Sequence, residues 1–165
     1  MAENNESVKN NENVAAKPAV AQPQKAAVKN TENKKVEKSR RKQQLEELIE
    51  GRPPFEVKLI KRIFNERYGL IDKSLLSDDK QVIFTTMKIL GELRVDKYVD
   101  PIAQVVSDAA DPEFRKAAAD SLALMKNNRA LFQLIKRMEI EKDPEVLEAI
   151  RNAVRCIHNK GAEAE

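Results

Sequence analysis

Apolar residues in the second half of the chain recur with two periods, one of a helical turn and one of 32 residues. Within a segment they occupy offsets 0, 3, 4, 7, 8 and 11, which together form one face of an α-helix. A shift of 32 positions superimposes three such segments, beginning at Val82, Phe114 and Val146, and the stretches between them also match, with Val99 falling onto Leu131. The pattern predicts successive pairs of amphipathic helices, because a fixed period of this kind is typical of helical repeat proteins.

The segments "DPEFRKAAAD" and "DPEVLEAIRN" open two of these helices in the same way, at Asp111 and Asp143. An aspartate side chain can accept hydrogen bonds from the first free backbone N–H groups of a helix. The proline that follows occupies the first helical position, where no donor is needed, and the glutamate after it favours the positive end of the helix dipole. The repeated motif therefore predicts two helix starts and requires no catalytic chemistry.

Two weaker helical patterns precede the repeats. The first runs from about Ser39 and ends at "GRPP", where a glycine and two prolines stop a helix. The second runs from about Pro54 to Tyr68, with Gly69 placed to terminate it and "IDKSLLSDD" following as a linker. We expect residues 39–70 to form a divergent helical cap at the amino-terminal end of the repeats.

A second apolar face on the predicted helix 79–94 supports this cap. Ile83, Phe84 and Met87 lie outside the shared apolar stripe, at positions where the next repeat has Arg115 and two other small or charged residues. An apolar face of this kind needs a cover. The two helices before residue 70 are the predicted cover.

The amino-terminal segment has a different composition. Residues 1–38 contain no aromatic residue, so folding could not bury enough apolar surface to offset the loss of chain entropy. We expect a disordered basic tail there, which is either a solubilising leader or, through "KKVEKSRRK", an arm that attracts anions. Residues 161–165 are expected to be a disordered carboxyl terminus. Residues 1–42 carry +5, from ten Lys or Arg and five Glu, whereas residues 43–165 carry −2.

The periodic region, about half of the chain, resembles the HEAT-like repeats. The resemblance is carried by "DKQVIFTTMKILGELRVDKYVDPIAQVV", by "DPEFRKAAADSLALMKNNRALFQLIKRM" and by the half repeat "DPEVLEAIRNAVRCI". Gly91, in a Leu-Gly pair, and Pro101 match the family pattern in the first repeat, whereas Ala123 and Gln133 depart from it in the second. The resemblance implies an all-α fold, a short HEAT-like α-solenoid of antiparallel helix pairs over residues 71–160.

Some proteins of similar fold are enzymes. The iron-dependent hydroxylases of this fold use His-Glu pairs, and the alkylbase DNA glycosylases use aromatic residues on a basic face, whereas this chain has no His-Glu dipeptide and no Trp. An enzyme with an unrecognised site, such as a bilin lyase, stays a third alternative. The family comparison thus favours a function without catalysis.

The residues themselves offer little chemistry. The chain has no Gly-rich phosphate loop and a single His, so we expect no catalytic residue, no metal and no cofactor. His158 is expected to meet free carbonyls in the last turn of the final helix, and Cys156 to be a packing residue. The lone cysteine cannot form an intrachain disulfide, and no apolar run approaches the roughly 18 residues of a membrane span, so a cytoplasmic protein is predicted.

We therefore expect a non-catalytic adaptor or scaffold that binds another protein. In HEAT-like stacks the second helices of successive repeats line one side and form a face suited to a partner helix or peptide. The candidate partner-binding residues are the off-stripe residues of these helices: Lys97, Gln104, Arg129, Gln133, Lys136 and Arg137. Their charges favour an acidic or amphipathic partner. The alternative is a nucleic-acid-associated protein whose basic tail supplies nonspecific attraction to phosphates.

Overall fold

The computed structural model describes residues 24–162 of the 165-residue chain, with side chains for residues 36–159. Within the described range, the residues up to 41 and the residues from 42 onwards form two units. Every regular element in the described range is helical. The α-helices are α1 (Gln24–Ile49), α2 (Pro54–Phe64), α3 (Tyr68–Leu75), α4 (Lys80–Glu92), α5 (Val99–Asp108), α6 (Pro112–Met125), α7 (Leu131–Met138) and α8 (Pro144–Ala162). Short 3-10 turns, Asp96–Tyr98 and Asn128–Ala130, lead into α5 and α7.

The 32-residue period sets the positions of the helices. The first helices of the repeats, α4, α6 and α8, begin at Lys80, Pro112 and Pro144, each 32 positions after the one before. The second helices, α5 and α7, begin at Val99 and Leu131, which are again 32 positions apart. Neighbouring first helices pack against each other, and α5 packs against α7. The predicted all-α solenoid of helix pairs is confirmed.

The repeated aspartates cap helices as predicted. A carboxylate oxygen of Asp111 accepts a hydrogen bond from the backbone N–H of Glu113 at 2.9 Å. One oxygen of Asp143 accepts from the N–H groups of Glu145 and Val146, at 2.9 and 3.1 Å. Each cap satisfies donors that the helix itself leaves free.

The same motif also joins neighbouring repeats, a role that the sequence pattern did not indicate. The ammonium of Lys80 on α4 lies 2.6 Å from the carboxylate of Asp111 and 2.9 Å from that of Glu113. Lys116 on α6 lies 2.6 Å from the carboxylate of Glu145 on α8. These ion pairs are exposed, so each adds little to stability. They nevertheless place opposite charges at the same junction in both repeats.

The second helix is shorter than predicted. It ends at Phe64 rather than at Tyr68. The backbone turns at Glu66, whose φ of 56° lies in the left-handed region that non-glycine residues seldom adopt. The predicted stop at Gly69 is therefore wrong, because Gly69 lies within the next helix.

The predicted linker after Gly69 is also wrong in its first half. Helix α3 continues to Leu75 and buries Ile71 completely. The polar residues of "IDKSLLSDD" indicated a linker. In the structure, however, Ile71 and Ser74 lie one turn apart on the buried side of this helix. Tertiary packing of that side against α2 and α4 stabilises a helix whose own sequence is too short to be stable alone.

The chain ends differ from the predicted boundaries. Helix α1 begins at Gln24, earlier than the predicted start at Ser39, while the part of the predicted tail in residues 1–23 lies outside the described residues. At the other end α8 continues through Ala162, two residues past the predicted boundary, and residues 163–165 are outside the described range. The stop after α1 is as predicted, because Gly51 adopts φ 68° two residues after the helix ends.

The second apolar face of α4 is covered from two sides. Met87 is buried, and α4 packs against α2, one of the two predicted cover helices, and against α3, which lies mostly in the predicted linker. Phe84 instead meets Phe114 of α6 edge-on, with ring centroids 5.0 Å apart. Ile83 remains only partly buried. The cap therefore covers this face incompletely.

Small side chains set the distance between α4 and α6. A Cβ atom added to Gly91 would lie 2.8 Å from the carbonyl oxygen of Ser121. The hydroxyl of Ser121 donates a hydrogen bond to the carbonyl of Met87 at 2.6 Å. The two helices can approach this closely only because residue 91 has no side chain.

Ala118→Glu should strongly destabilise the protein. Ala118 on α6 is completely buried, so the substitution would place an unpaired carboxylate in the core at a cost of about 3–5 kcal/mol. Thermal and urea unfolding followed by circular dichroism would measure the loss. Gln81→Glu adds the same charge at an exposed position of α4 and should unfold close to the wild type. Equal midpoints for the two variants would remove Ala118 from the core.

Gly91→Ala should destabilise the contact between α4 and α6, whereas Gly69→Ala should not. Alanine favours a helix over glycine by about 1 kcal/mol, but at position 91 the added methyl group overlaps backbone atoms of Ser121, and overpacking costs about 1–3 kcal/mol. A Cβ at position 69 meets no atom within 4 Å. Urea unfolding should rank Gly69→Ala above Gly91→Ala by roughly 1–3 kcal/mol. The reverse ranking would contradict close packing at residue 91.

Candidate functional site

The six candidate residues lie on the second helices and on the 3-10 turns before them. Lys97 and Arg129 occupy equivalent positions in these turns, and Gln104 and Lys136 occupy equivalent positions on α5 and α7. All four are exposed, as a partner-binding face would require. Their common register places them in two rows along the second-helix face.

Two of the positive charges on this face are already paired. The guanidinium of Arg129 forms an ion pair with Asp100 on α5 and donates to the carbonyl of Asp96 at 3.4 Å. The guanidinium of Arg137 lies 2.9 Å from the carboxylate of Glu141 and donates to the carbonyl of Ser107 at 3.1 Å. These arginines hold α7 against α5, so the face is less basic than its sequence indicates.

The remaining candidates differ in what they offer a partner. Gln104 donates a hydrogen bond to Asp108 at 3.1 Å, one turn further along α5. The side-chain oxygen of Gln133 is buried and accepts no hydrogen bond from any described residue. Lys136 is exposed and forms no ion pair within the described part of the chain. Lys136 is therefore accessible to a partner, whereas the unsatisfied oxygen of Gln133 lies below the molecular surface.

Lys97 belongs to an aromatic cluster at the start of α5. Its ammonium lies 4.5 Å from the ring centroid of Tyr68 and 5.7 Å from that of Tyr98. The buried hydroxyl of Tyr98 donates to the carboxylate of Asp72 at 2.7 Å, and burial together with this carboxylate raises the pKa of Tyr98 above its ordinary value. The cluster fixes the 3-10 turn against α3.

An apolar groove adjoins this cluster, between α3 and α5. It has a volume of about 370 Å³ and is lined mainly by hydrophobic side chains. Leu76 on its rim is 84% exposed. Ile83, Val105 and Phe114 contribute to its walls from α4, α5 and α6. The groove is therefore the place where the incomplete cover of α4 leaves apolar surface accessible.

The equivalent place one repeat later is filled by an ionic cluster. A shift of 32 carries Ile83 onto Arg115 and Val105 onto Arg137. The sequence pattern placed Arg115 outside the apolar stripe, where a charged side chain would be exposed. In the structure Arg115 is only 7% exposed, so that expectation is wrong. Its guanidinium lies 2.7 and 2.9 Å from the two carboxylate oxygens of Glu141 and donates to two backbone carbonyls before α6.

Glu141 is the centre of this ionic cluster. Its oxygens also accept from Arg137 and from the backbone N–H groups of Lys142 and Asp143, each at 2.9 to 3.0 Å. The side chain is 1% exposed. The hydrogen bonds from Arg115, with those from the backbone and Arg137, lower the pKa of Glu141 from 4.5 to about 2, against the effect of burial. The charges of this cluster are paired and its role is structural. It fills the space between the repeat formed by α6 and α7 and the start of α8, which we call the second boundary of the stack; the first boundary lies between the repeat formed by α4 and α5 and the start of α6.

Cys156 and His158, the two residues with side chains of possible reactivity, both lie on α8. Cys156 is half-buried and packs against the core, with its sulfur 3.8 Å from the side-chain oxygen of Asn152. His158 is exposed and lies one turn before the end of α8, because that helix runs to Ala162 rather than ending near the histidine. Within residues 24–162 no group of three His, Cys, Asp or Glu side chains is placed to hold a metal ion.

No helix among the described residues is both long and apolar enough to cross a membrane.

The comparison with known families agrees with the geometry. The family model described as HEAT repeats matches residues 69–155, which is more than half of the chain. The chain therefore belongs to the HEAT repeat family, whose repeats generally mediate contacts between proteins and typically act as non-catalytic scaffolds. No curated protein and no solved structure matches the chain significantly.

Glu141→Gln should destabilise the protein most at neutral pH. The folded pKa of Glu141 is about 2, below its ordinary 4.5, so the stabilisation is present above pH about 4.5 and is lost as the pH falls towards 2. A shift of this size corresponds to a contribution on the order of 3 kcal/mol. Urea unfolding at pH 7 and at pH 3 should show a difference between wild type and variant that shrinks at the lower pH.

Glu145→Gln provides the matched control, because Glu145 is an exposed carboxylate in an ion pair with Lys116. Its loss should change stability by about 0–1 kcal/mol. If Glu141→Gln were as mild as this control at pH 7, the ionic cluster would not stabilise the second boundary.

Proposed function

We propose that this protein is a non-catalytic scaffold that binds another protein, and that the groove beside Tyr98 receives an apolar side chain of that partner. The observation that carries the proposal is the contrast between two equivalent boundaries of the stack. At one boundary Arg115, Arg137 and Glu141 fill the space with a satisfied ionic cluster. At the other boundary the matching positions are apolar and leave a groove of about 370 Å³.

The groove suits an amphipathic segment with one large apolar anchor. A volume of this size accommodates a leucine or an aromatic side chain, and burying such a side chain contributes about 1.5–3 kcal/mol. Leu76 on the rim would lose its exposed surface in the same contact. Lys97 lies beside the groove through its contacts with Tyr68 and Tyr98, so an acidic residue next to the anchor would meet a positive charge.

The second-helix face extends this binding site in the proposal. Gln104 and Lys136 are exposed in one row, and a change of rotamer at Gln133, whose buried oxygen no described residue uses, would bring its amide to the same face. Arg129 and Arg137 stay engaged with Asp100 and Glu141, so they serve the partner by holding α7 in place. Polar contacts of this kind fix the orientation of a partner more than they add to its affinity.

The alternative of nucleic-acid binding rests on the net charge of residues 1–42, and no contact within the described range favours it over protein binding. A reducing compartment such as the cytoplasm is part of the proposal, because the single Cys156 has no intrachain partner for a disulfide.

Val105→Arg should abolish partner binding while preserving the fold. The substitution places at the groove the same side chain that position 137 carries one repeat later, where α7 accommodates it. The variant would fill the apolar groove with a guanidinium group. Seating an apolar anchor there would leave that charge without solvent or a partner, which costs free energy. Melting curves should resemble those of the wild type.

Gln81→Arg is the matched control, since it adds the same side chain at an exposed position of α4 that lies outside the groove and outside the second-helix face. Tagged proteins would be incubated with nuclease-treated cell extract, and the captured proteins would be quantified by mass spectrometry. Proteins held by the wild type and by Gln81→Arg should fall roughly tenfold or more with Val105→Arg, a loss of about 1.4 kcal/mol. Equal capture by all three would exclude the groove as the binding site.

A further inference from the structure

The last two helices, α7 and α8, leave apolar side chains uncovered. Phe132 and Ile135 on α7 are 71% and 41% exposed, and Met138 is only partly buried. Val154 on α8 is also partly exposed and lines, with Met138, a second groove of about 370 Å³. We call Phe132, Ile135, Met138 and Val154 the carboxyl-terminal apolar surface.

The repeat itself shows what covers such a surface. A shift of 32 carries Ala103 onto Ile135 and Val106 onto Met138, and both Ala103 and Val106 are completely buried. Helix α5 packs against both α6 and α7. The open positions of α7 are thus the equivalents of positions that neighbouring helices bury on α5, and a further helix packed against α7 would cover them.

The two kinds of helix end the stack differently. On the first helices, buried Ala119 and Ala123 of α6 are replaced on α8 by exposed Arg151 and Arg155. A polar outer face is the usual termination of a solenoid. On the second helices the change is in the opposite direction, because Phe132 of α7 takes the position of Asp100 on α5. The outer face of α8 is thus polar, whereas that of α7 is apolar.

We infer that the carboxyl-terminal apolar surface docks an amphipathic helix of another protein, which lies against α7 as α7 lies against α5. The charges at the surface identify the polar side of that helix. Arg151 and Arg155 line the groove with Met138 and Val154; Arg155 pairs with Glu148 at 3.3 Å, whereas Arg151 forms no ion pair with a described residue. An acidic residue beside the apolar stripe of the partner would pair with Arg151.

Charge also distinguishes this occupant from a second copy of the chain. A two-fold pairing through the same surface brings residues near the symmetry axis against their own copies, and with the axis at Arg151 it would place two positive charges together. The opposite end of the stack has a depression lined by Lys58, Lys61 and Arg62 together with other residues, none of them acidic. Head-to-tail pairing would therefore place positive charges against Arg151. A helix of a different, partly acidic protein meets neither repulsion.

The test uses a synthetic 15-residue peptide that copies residues 128–142, with glutamate in place of Lys136 and Arg137 to match the basic rim. The full-length protein, labelled with nitrogen-15 and with carbon-13 in its methyl groups, would be titrated with this peptide and followed by NMR. Shifts should be concentrated at Ile135, Met138 and Val154. A peptide that also carries glutamate at the positions of Leu131 and Leu134 lacks the apolar stripe and should bind roughly tenfold more weakly or worse.

Protein variants make the outcome specific. Ile135→Glu and Phe132→Glu alter exposed side chains, so both should fold, and each should weaken peptide binding roughly tenfold or more. Val105→Arg, in the separate groove between α3 and α5, should leave peptide binding unchanged, so this result is independent of the proposed partner groove. If no shifts appeared up to about 1 mM peptide, the dissociation constant would be weaker than about 1 mM, and the inference would be overturned. It would also be overturned by shifts centred elsewhere, or by concentration-dependent shifts at these residues without peptide.

Discussion

Close packing between successive first helices is the constraint on which this fold depends. Gly91 and Ser121 let α4 and α6 approach until backbone atoms nearly touch, and Ala118 is completely buried in the same stack. A packed interior tolerates neither an extra methyl group nor an uncompensated charge at such positions. The first helices begin 32 residues apart, and the second helices keep the same spacing. The rows of side chains on the second-helix face are a consequence of that register.

The two internal boundaries of the stack show how one backbone plan serves two purposes. At the boundary closed by Glu141, two arginines and two backbone N–H groups satisfy a buried carboxylate, which holds α6, α7 and the start of α8 together. At the boundary beside Tyr98, aliphatic side chains take the matching positions, and the short helix α3 leaves the space between them open. Filling the space with paired charges favours rigidity, whereas leaving it apolar and accessible favours binding. The difference depends on a few side chains and not on the course of the backbone.

The end of the stack extends the same principle. Exposed arginines on α8 replace buried alanines of α6, so the outer face of this first helix is polar. The second helix α7 has kept apolar residues where α5 buries its own. Together with the groove beside Tyr98, this gives a small protein two separate apolar surfaces, each of a size that can receive part of a partner. Two such surfaces on one rigid stack are what the proposed role as an adaptor requires, since an adaptor must hold two partners at a fixed distance.

Periodicity in the sequence was sufficient to predict the helices of the repeats. Offsets of one helical face, repeated after 32 residues, located α4, α6 and α8, and the Asp-Pro openings predicted the caps at Asp111 and Asp143. These features depend on local hydrogen bonding and on which side of a helix is apolar, and both can be inferred from neighbouring residues. Four of the six candidate residues lie on the second helices, whereas Lys97 and Arg129 lie in the 3-10 turns before them, and the sequence did not reveal which of their charges were already paired.

Only the tertiary structure decided the features that depend on contacts distant in sequence. The polar segment around Ile71 is helical because α2 and α4 bury one side of it, and no local signal compensates for its short length. Arg115 is buried because Glu141, 26 residues away, and two carbonyls before α6 satisfy its guanidinium. The groove beside Tyr98 and the open surface at Ile135 exist because of what the neighbouring helices fail to cover. Local sequence was enough for the repeating helices and their Asp-capped starts, whereas exposure, pairing and open space depend on packing, because each of them is a property of two or more helices at once.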